Sequence, residues 1–155
     1  MFLMDEQPKM TEHMRQVLAR SATNLEGFIV TGAILFGSIA RGTQTKDSDA
    51  DLLAVAEGLH PRRNQRGGHI AQIKSMFPKI PLDILLLTRE EVISNFRNHN
   101  PLFLDIAEES SVILDKDDFL KDLISEVRAY VGVRGIRRFG DGWIFPVRKG
   151  VAVPL

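Results

Sequence analysis

The run Ile29-Val30-Thr31-Gly32-Ala33-Ile34-Leu35-Phe36 limits the possible folds of this chain more than any other feature. It is long enough for a strand, rich in β-branched residues, and stops at Gly37, so it predicts a buried strand. Two further apolar runs follow: Leu52 to Ala56, and Ile84 to Leu87 between Pro81 and Thr88. Val112-Ile113-Leu114 reads as a short edge strand.

Helical periodicity fills the intervals. Met10, Met14, Val17, Leu18 and Leu25 predict an amphipathic helix over residues 10 to 26, ended by Gly27. Ile70, Ile73 and Phe77 share one face of a second helix. Thr88-Arg89-Glu90-Glu91 is a capping box, in which hydroxyl and carboxylate satisfy each other's backbone N–H groups. It opens a helix carrying Val92, Ile93 and Phe96. Asn100-Pro101 marks another helix start. Phe119, Leu120, Leu123, Ile124, Val127, Tyr130 and Val131 form a last stripe, closed by Gly132. This order predicts an α/β (α+β) fold, a mixed sheet covered by helices. The expected division is an N-terminal helix in 1–28, a core in 29–131, and an irregular basic extension in 132–155 with a short strand at Trp143 to Val147.

A chain of 155 residues fits one domain with a sizeable core. It has no cysteine, which excludes disulfides, thiolate metal sites and a cysteine nucleophile, and fits the reducing cytoplasm. The N-terminus has no basic start followed by an apolar run, so no secretory signal is expected. The apolar runs are far short of the roughly 20 residues that span a bilayer. Zero net charge argues neither for nor against nucleic acid. Residues 128–149 nevertheless carry five arginines and one lysine against Asp141, and this +5 is balanced by −5 elsewhere. Two readings stand: the extension packs on the acidic body, or it contacts RNA or a partner.

The chemistry concentrates after the first strand. Gly37-Ser38 exposes backbone N–H groups with little bulk in the way, and a helix starting there would favour phosphate. Arg41 supplies a positive charge or braces the loop. Alone, a Gly-Ser after a strand is also an ordinary turn. Next comes Asp47-Ser48-Asp49-Ala50-Asp51-Leu52. In extended chain Asp49 and Asp51 share a face, where their mutual repulsion calls for a compensating cation such as Mg²⁺; a solvated acidic turn is the alternative. Asp83, between Leu82 and Ile84, completes a carboxylate triad if its strand pairs beside the Asp49–Asp51 strand. Otherwise it is a carboxylate at an exposed strand end.

In this order and spacing the pieces resemble the minimal nucleotidyltransferases of the DNA polymerase beta-like superfamily. Their pattern is Gly-Ser-x-Ala-Arg-Gly, a short spacer, Ser-Asp-x-Asp-Leu, and a third acidic strand. The chain matches at Gly37, Ser38, Ala40, Arg41, Gly42, Ser48, Asp49, Asp51, Leu52 and Asp83. The resemblance covers about residues 30 to 115 and leaves the tail unexplained. It implies transfer of a nucleoside monophosphate from an NTP, AMP first, to an acceptor hydroxyl. Gly37 and Ser38 would hold the β- and γ-phosphates. Asp49 and Asp51 would hold two Mg²⁺ ions, and Asp83 would ligate the catalytic ion and help deprotonate the acceptor. It also implies an antitoxin-like protein with a small helical toxin as partner. A small-molecule transferase of the aminoglycoside type and a non-catalytic NTP- or partner-binding module are the alternatives.

Other signals are set aside. Arg63-Asn64 followed by His69 matches a ribonuclease motif by spacing alone. Arg62, Arg63 and Arg66 read as a basic loop near the triphosphate. Trp143 either packs the tail on the body or stacks on a base, and His13 and His60 read as surface residues.

Overall fold

The computed structural model describes residues 7–37 and 49–146. The described elements are α1 (Gln7–Ser21), β1 (Ile29–Phe36), β2 (Ala50–Glu57), α2 (Gly67–Ser75), β3 (Leu82–Leu87), α3 (Arg89–Arg97), α4 (Pro101–Glu108), β4 (Ser111–Asp115), α5 (Phe119–Arg134), β5 (Arg137–Phe139) and β6 (Gly142–Ile144). β1 to β4 form a mixed sheet in the order β3-β2-β1-β4. β2 and β3 are parallel, and the other pairs antiparallel. A parallel pair needs a crossover connection, and α2 lies in it.

The central strands are apolar along nearly their whole length because both faces of the sheet are covered. On one face Leu35, Leu52, Ala54 and Leu86 pack with Met14 and Leu18 of α1 and Ile73 of α2. On the other, Ile34, Leu53, Val55 and Leu87 pack with Phe96 of α3, Leu104 of α4 and Leu123 of α5. The second layer sits close: a Cβ on Gly32 would lie 2.7 Å from Leu120 Cδ1, next to an irregularity in the β1–β2 pairing. Among the described residues no helix is long and apolar enough to cross a membrane.

Local signals place several elements as read. The Thr88 box closes, with Glu91 N–H donating to Thr88 Oγ1 at 3.2 Å and Thr88 N–H to Glu91 Oε1 at 2.8 Å. Asn100 caps α4 through Leu102 N–H, with Pro101 in its first turn. β4 is the edge strand expected at Val112–Leu114.

Three readings are corrected. The first helix stops at Ser21, five residues before the expected end. Asn24 there donates to the Arg20 carbonyl, the kind of local side-chain bond that competes with helix; Leu25 packs on the core from the turn beyond. The last helix runs through Gly132 to Arg134, so the boundary expected at 131/132 falls inside it. Gly135, at φ +67°, is the true stop. Ile136 N–H bonds Val131 O and Gly135 N–H bonds Gly132 O, the two bonds of a Schellman cap. Within the described part of the tail, residues 137–144 form a β5–β6 hairpin and not irregular chain, turning at Gly140-Asp141. Ile136 and Phe145 flank it, both buried in the second core layer; Val147 lies outside the described residues. The described part of the basic stretch thus packs on the body, where Arg138 pairs with Asp105 and Glu108; Arg148 and Lys149 lie outside the described residues.

Arg66 is the largest surprise. It is 1% exposed and does not share the solvated basic loop expected with Arg62 and Arg63. Its guanidinium donates to His60 O, Pro61 O, Leu86 O and Glu91 Oε1, the last at 2.7 Å. One cation therefore joins the loop after β2, the end of β3 and the cap of α3. This junction lies at the end of β3 remote from Asp83, so Arg66 is also not beside the carboxylates. Burial alone would raise the Glu91 carboxyl, but the bonds from Arg66 and Thr88 outweigh it and hold the pKa below 4.5.

Removing one partner of a mostly buried pair strands the other. Arg66→Met should cost about 3 kcal/mol in urea unfolding. Because the folded pKa of Glu91 is depressed, its contribution is present above 4.5 and fades as pH falls below it. The stability gap between wild type and Glu91→Gln should narrow on acidification. A gap that widens would show that the ion pair is not what stabilises this junction.

Candidate active site

The edge of the sheet where β1 ends is the edge where β2 and β3 begin. Phe36 pairs with Asp51 across the antiparallel β1–β2 ladder, and Asp51 pairs with Asp83 across the parallel β2–β3 ladder. The two aspartates therefore sit one strand spacing apart, about 4.8 Å in backbone terms. Side chains alternate along a strand, so Asp51 shares a face with Leu53 and Val55, and Asp83 with Leu87. That is the face covered by α3, α4 and α5. Asp51 is half-buried and Asp83 exposed. The strand pairing on which the triad depended is thus present.

Gly37 follows directly, at φ +77°, a conformation that strains any residue with a Cβ. A Cβ built on Gly37 would collide with Asp51 Oδ2, so only a glycine lets that carboxylate pack against the turn. Asp49 is exposed and just precedes β2. Among the described residues no three acidic, histidine or cysteine side chains stand together as a ligand set. What the fold sets side by side is the pair Asp51 and Asp83. Ser38, Ala40, Arg41, Gly42 and Ser48 lie outside the described residues.

Like charges directly opposite on neighbouring strands are destabilising. Two hard-oxygen donors on neighbouring strands fit Mg²⁺, which commonly takes one or two carboxylates and completes its shell with phosphate oxygens and water. The donor set suits that ion and suits a softer metal poorly.

A cleft of about 310 Å³ opens from this edge. Gly37 and Asp51 form one side. Leu102, Asp105 and Ile106, on one face of α4, and Glu109 just past its end form the other. Sequence reasoning missed this wall. Its one signal was Asp105, a lone carboxylate in the apolar stretch Leu102-Phe103-Leu104-Asp105-Ile106-Ala107. Trp143 Nε1 donates to Asp105 Oδ1 at 2.8 Å, and Arg138 stands 3.1 Å from the same oxygen. A larger groove of about 500 Å³ lies between α4, α5 and the hairpin, but contains neither paired aspartate. Position beside paired carboxylates outweighs volume here.

Known proteins bear out the resemblance. The nucleotidyltransferase domain family matches residues 15–114. A Methanocaldococcus jannaschii protein, provisionally named a protein adenylyltransferase, is 30% identical over 129 residues, covering 83% of this chain and 86% of its own. Among solved structures, one chain of a toxin–antitoxin pair with AMP-PNP is 17% identical, with a TM-score of 0.45, covering 81% of this chain and 92% of its own. Another, from a tri-AMPylated Shewanella oneidensis HEPN toxin in complex with MNT antitoxin, is 14% identical, with a TM-score of 0.41, covering 83% and 92%.

Gly37→Ala should place a methyl group against the Asp51 carboxylate and strain the backbone, costing about 1–3 kcal/mol. Thermal unfolding would show this as a lowered Tm. An unchanged Tm would mean that the turn relaxes freely.

Proposed function

Because the chain belongs to the nucleotidyltransferase domain family, we propose that it transfers AMP from ATP to a hydroxyl of an acceptor protein. The observation that carries this reading is the in-register pair Asp51–Asp83 beside Gly37. The name of the archaeal relative supports both the adenylyl group and a protein acceptor. Following the resemblance in the motifs, the acceptor to try first is a small helical toxin-like protein in the same cytoplasm.

In the proposed reaction the acceptor oxygen attacks the α-phosphorus and the bond to the bridging oxygen breaks. Pyrophosphate leaves, and the hydroxyl proton passes to Asp83. Such reactions depend on positioning and charge neutralisation more than on covalent work by the protein. Two Mg²⁺ ions, held by Asp49, Asp51 and Asp83, would supply neutralisation of the triphosphate and of the attacking and leaving oxygens. Gly37 contributes by lacking a side chain, which makes room for the Asp51 carboxylate against the turn. Ser38 would donate its hydroxyl to the phosphates, and Arg41 would add positive charge.

The test is incubation with Mg²⁺ and each α-labelled NTP in a lysate of the source cell, beside Asp51→Asn, Asp83→Asn and Asp49→Asn. Partners that merely orient metal ligands are worth about 10–100-fold, so losing a ligand should reduce labelling by about 100-fold or more. Label on a protein band, strongest with ATP, is the expected result. Near wild-type labelling by Asp51→Asn or Asp83→Asn would sink the assignment.

A further inference from the structure

The α4 wall of the cleft has a chemistry different from the Gly37–Asp51 side. Leu102 is 39% exposed and Ile106 is buried; between and beyond them stand the carboxylates of Asp105 and Glu109. No basic residue lines the cleft among the described residues. Such a wall repels a triphosphate. It suits an uncharged group that donates hydrogen bonds and has apolar faces.

Asp105 is held ready for that role. Trp143 Nε1–H and Arg138 both engage Oδ1. Arg138 is anchored in turn by Glu108 at 3.0 Å. No hydrogen bond from a described residue reaches Oδ2. The side chain thus has its rotamer fixed through one oxygen while the other keeps its capacity to accept. The hairpin that fixes it is 38 positions away in sequence at Trp143.

Geometry limits which part of a nucleotide meets this wall. The cleft touches Gly37 and Asp51, not Asp83. Asp83 lies on the far side of Asp51, toward β3, where the acceptor is proposed to lose its proton. The sugar is the group bonded directly to the α-phosphate, so a nucleotide running from Asp51 into the cleft presents its ribose first. At about 310 Å³ the space is at the small end of ligand clefts.

From this arrangement we infer that Asp105, set by Trp143 and Arg138, is a nucleoside-binding residue whose carboxylate accepts a hydrogen bond from a ribose hydroxyl, and so selects ribonucleotides over deoxyribonucleotides. The inference rests on the nucleotidyltransferase reading and adds to it a sugar-selecting residue and a task for the C-terminal hairpin.

Calorimetric titration of the full chain with Mg²⁺ and α,β-methylene-ATP, beside its 2′-deoxy and 3′-deoxy forms, tests it. A hydrogen bond to a charged group predicts that one deoxy form binds wild type about tenfold more weakly than the ribonucleotide. Asp105→Asn should weaken binding of the ribonucleotide and leave that deoxy form nearly unchanged, so the preference collapses. Trp143→Phe keeps an aromatic ring but removes the donor to Oδ1, and should lose part of the preference. A merely structural role would weaken all three ligands alike and preserve the ratios. Preserved ratios in Asp105→Asn overturn this inference and leave the transferase reading standing. A wild type that binds none of the three overturns both.

Discussion

Burying both faces of β1 and β2 constrains everything else in this molecule. Leu35, Leu52 and Ala54 need one helical layer, and Ile34, Leu53 and Val55 need another. Once α1 and α2 take one face and α3, α4 and α5 the other, polar groups on these strands can reach solvent only at the strand ends. Asp51 and Asp83 are placed by this rule. They continue the rows of Leu53 and Leu87, one step past the point where helices still cover the face. The carboxylates are in register because the apolar rows behind them are.

The two ends of the sheet meet different demands. At one, like charges lie side by side and the backbone turns at Gly37 with no side chain in the way. At the other, Arg66 is almost fully enclosed by carbonyls and by Glu91, which also serves the capping box of α3. The Arg66 end is closed by hydrogen bonds and an ion pair, whereas the Asp51 end brings two carboxylates together across neighbouring strands. This is the pattern expected where stability and binding have separate locations.

How much was legible in the sequence follows from the range of each interaction. Strand runs, the Thr88 box and the Asn100-Pro101 start depend on residues within about four positions, and they were read correctly. The placement of Asp83 beside Asp51 was readable as a condition on strand pairing, which the β2–β3 ladder meets. Arg66 was misread because its partners Leu86 and Glu91 are 20 and 25 positions away, and a buried arginine looks like a surface one until they are known. The helix stop was misread because Gly132 and Gly135 are equally good in composition; the cap is decided by Ile136, which must bury its side chain. The α4 wall was missed for the same reason as Arg66. Asp105 finds Trp143 and Arg138 only after the chain has turned back through the hairpin.

The parallel pairing of β2 and β3 has a kinetic consequence. Antiparallel neighbours can zip from a turn, whereas these strands meet only after the crossover through α2 has closed, and closing a loop costs entropy before any contact rewards it. Asp51 and Asp83 therefore become neighbours late in folding, and the α4 wall joins them only when the second helical layer docks. A half-folded chain would present no cleft. A ligand bound between Gly37, Asp51 and α4 would bridge segments that share no local contacts. It would thus slow the opening of the whole sheet rather than quiet a single loop.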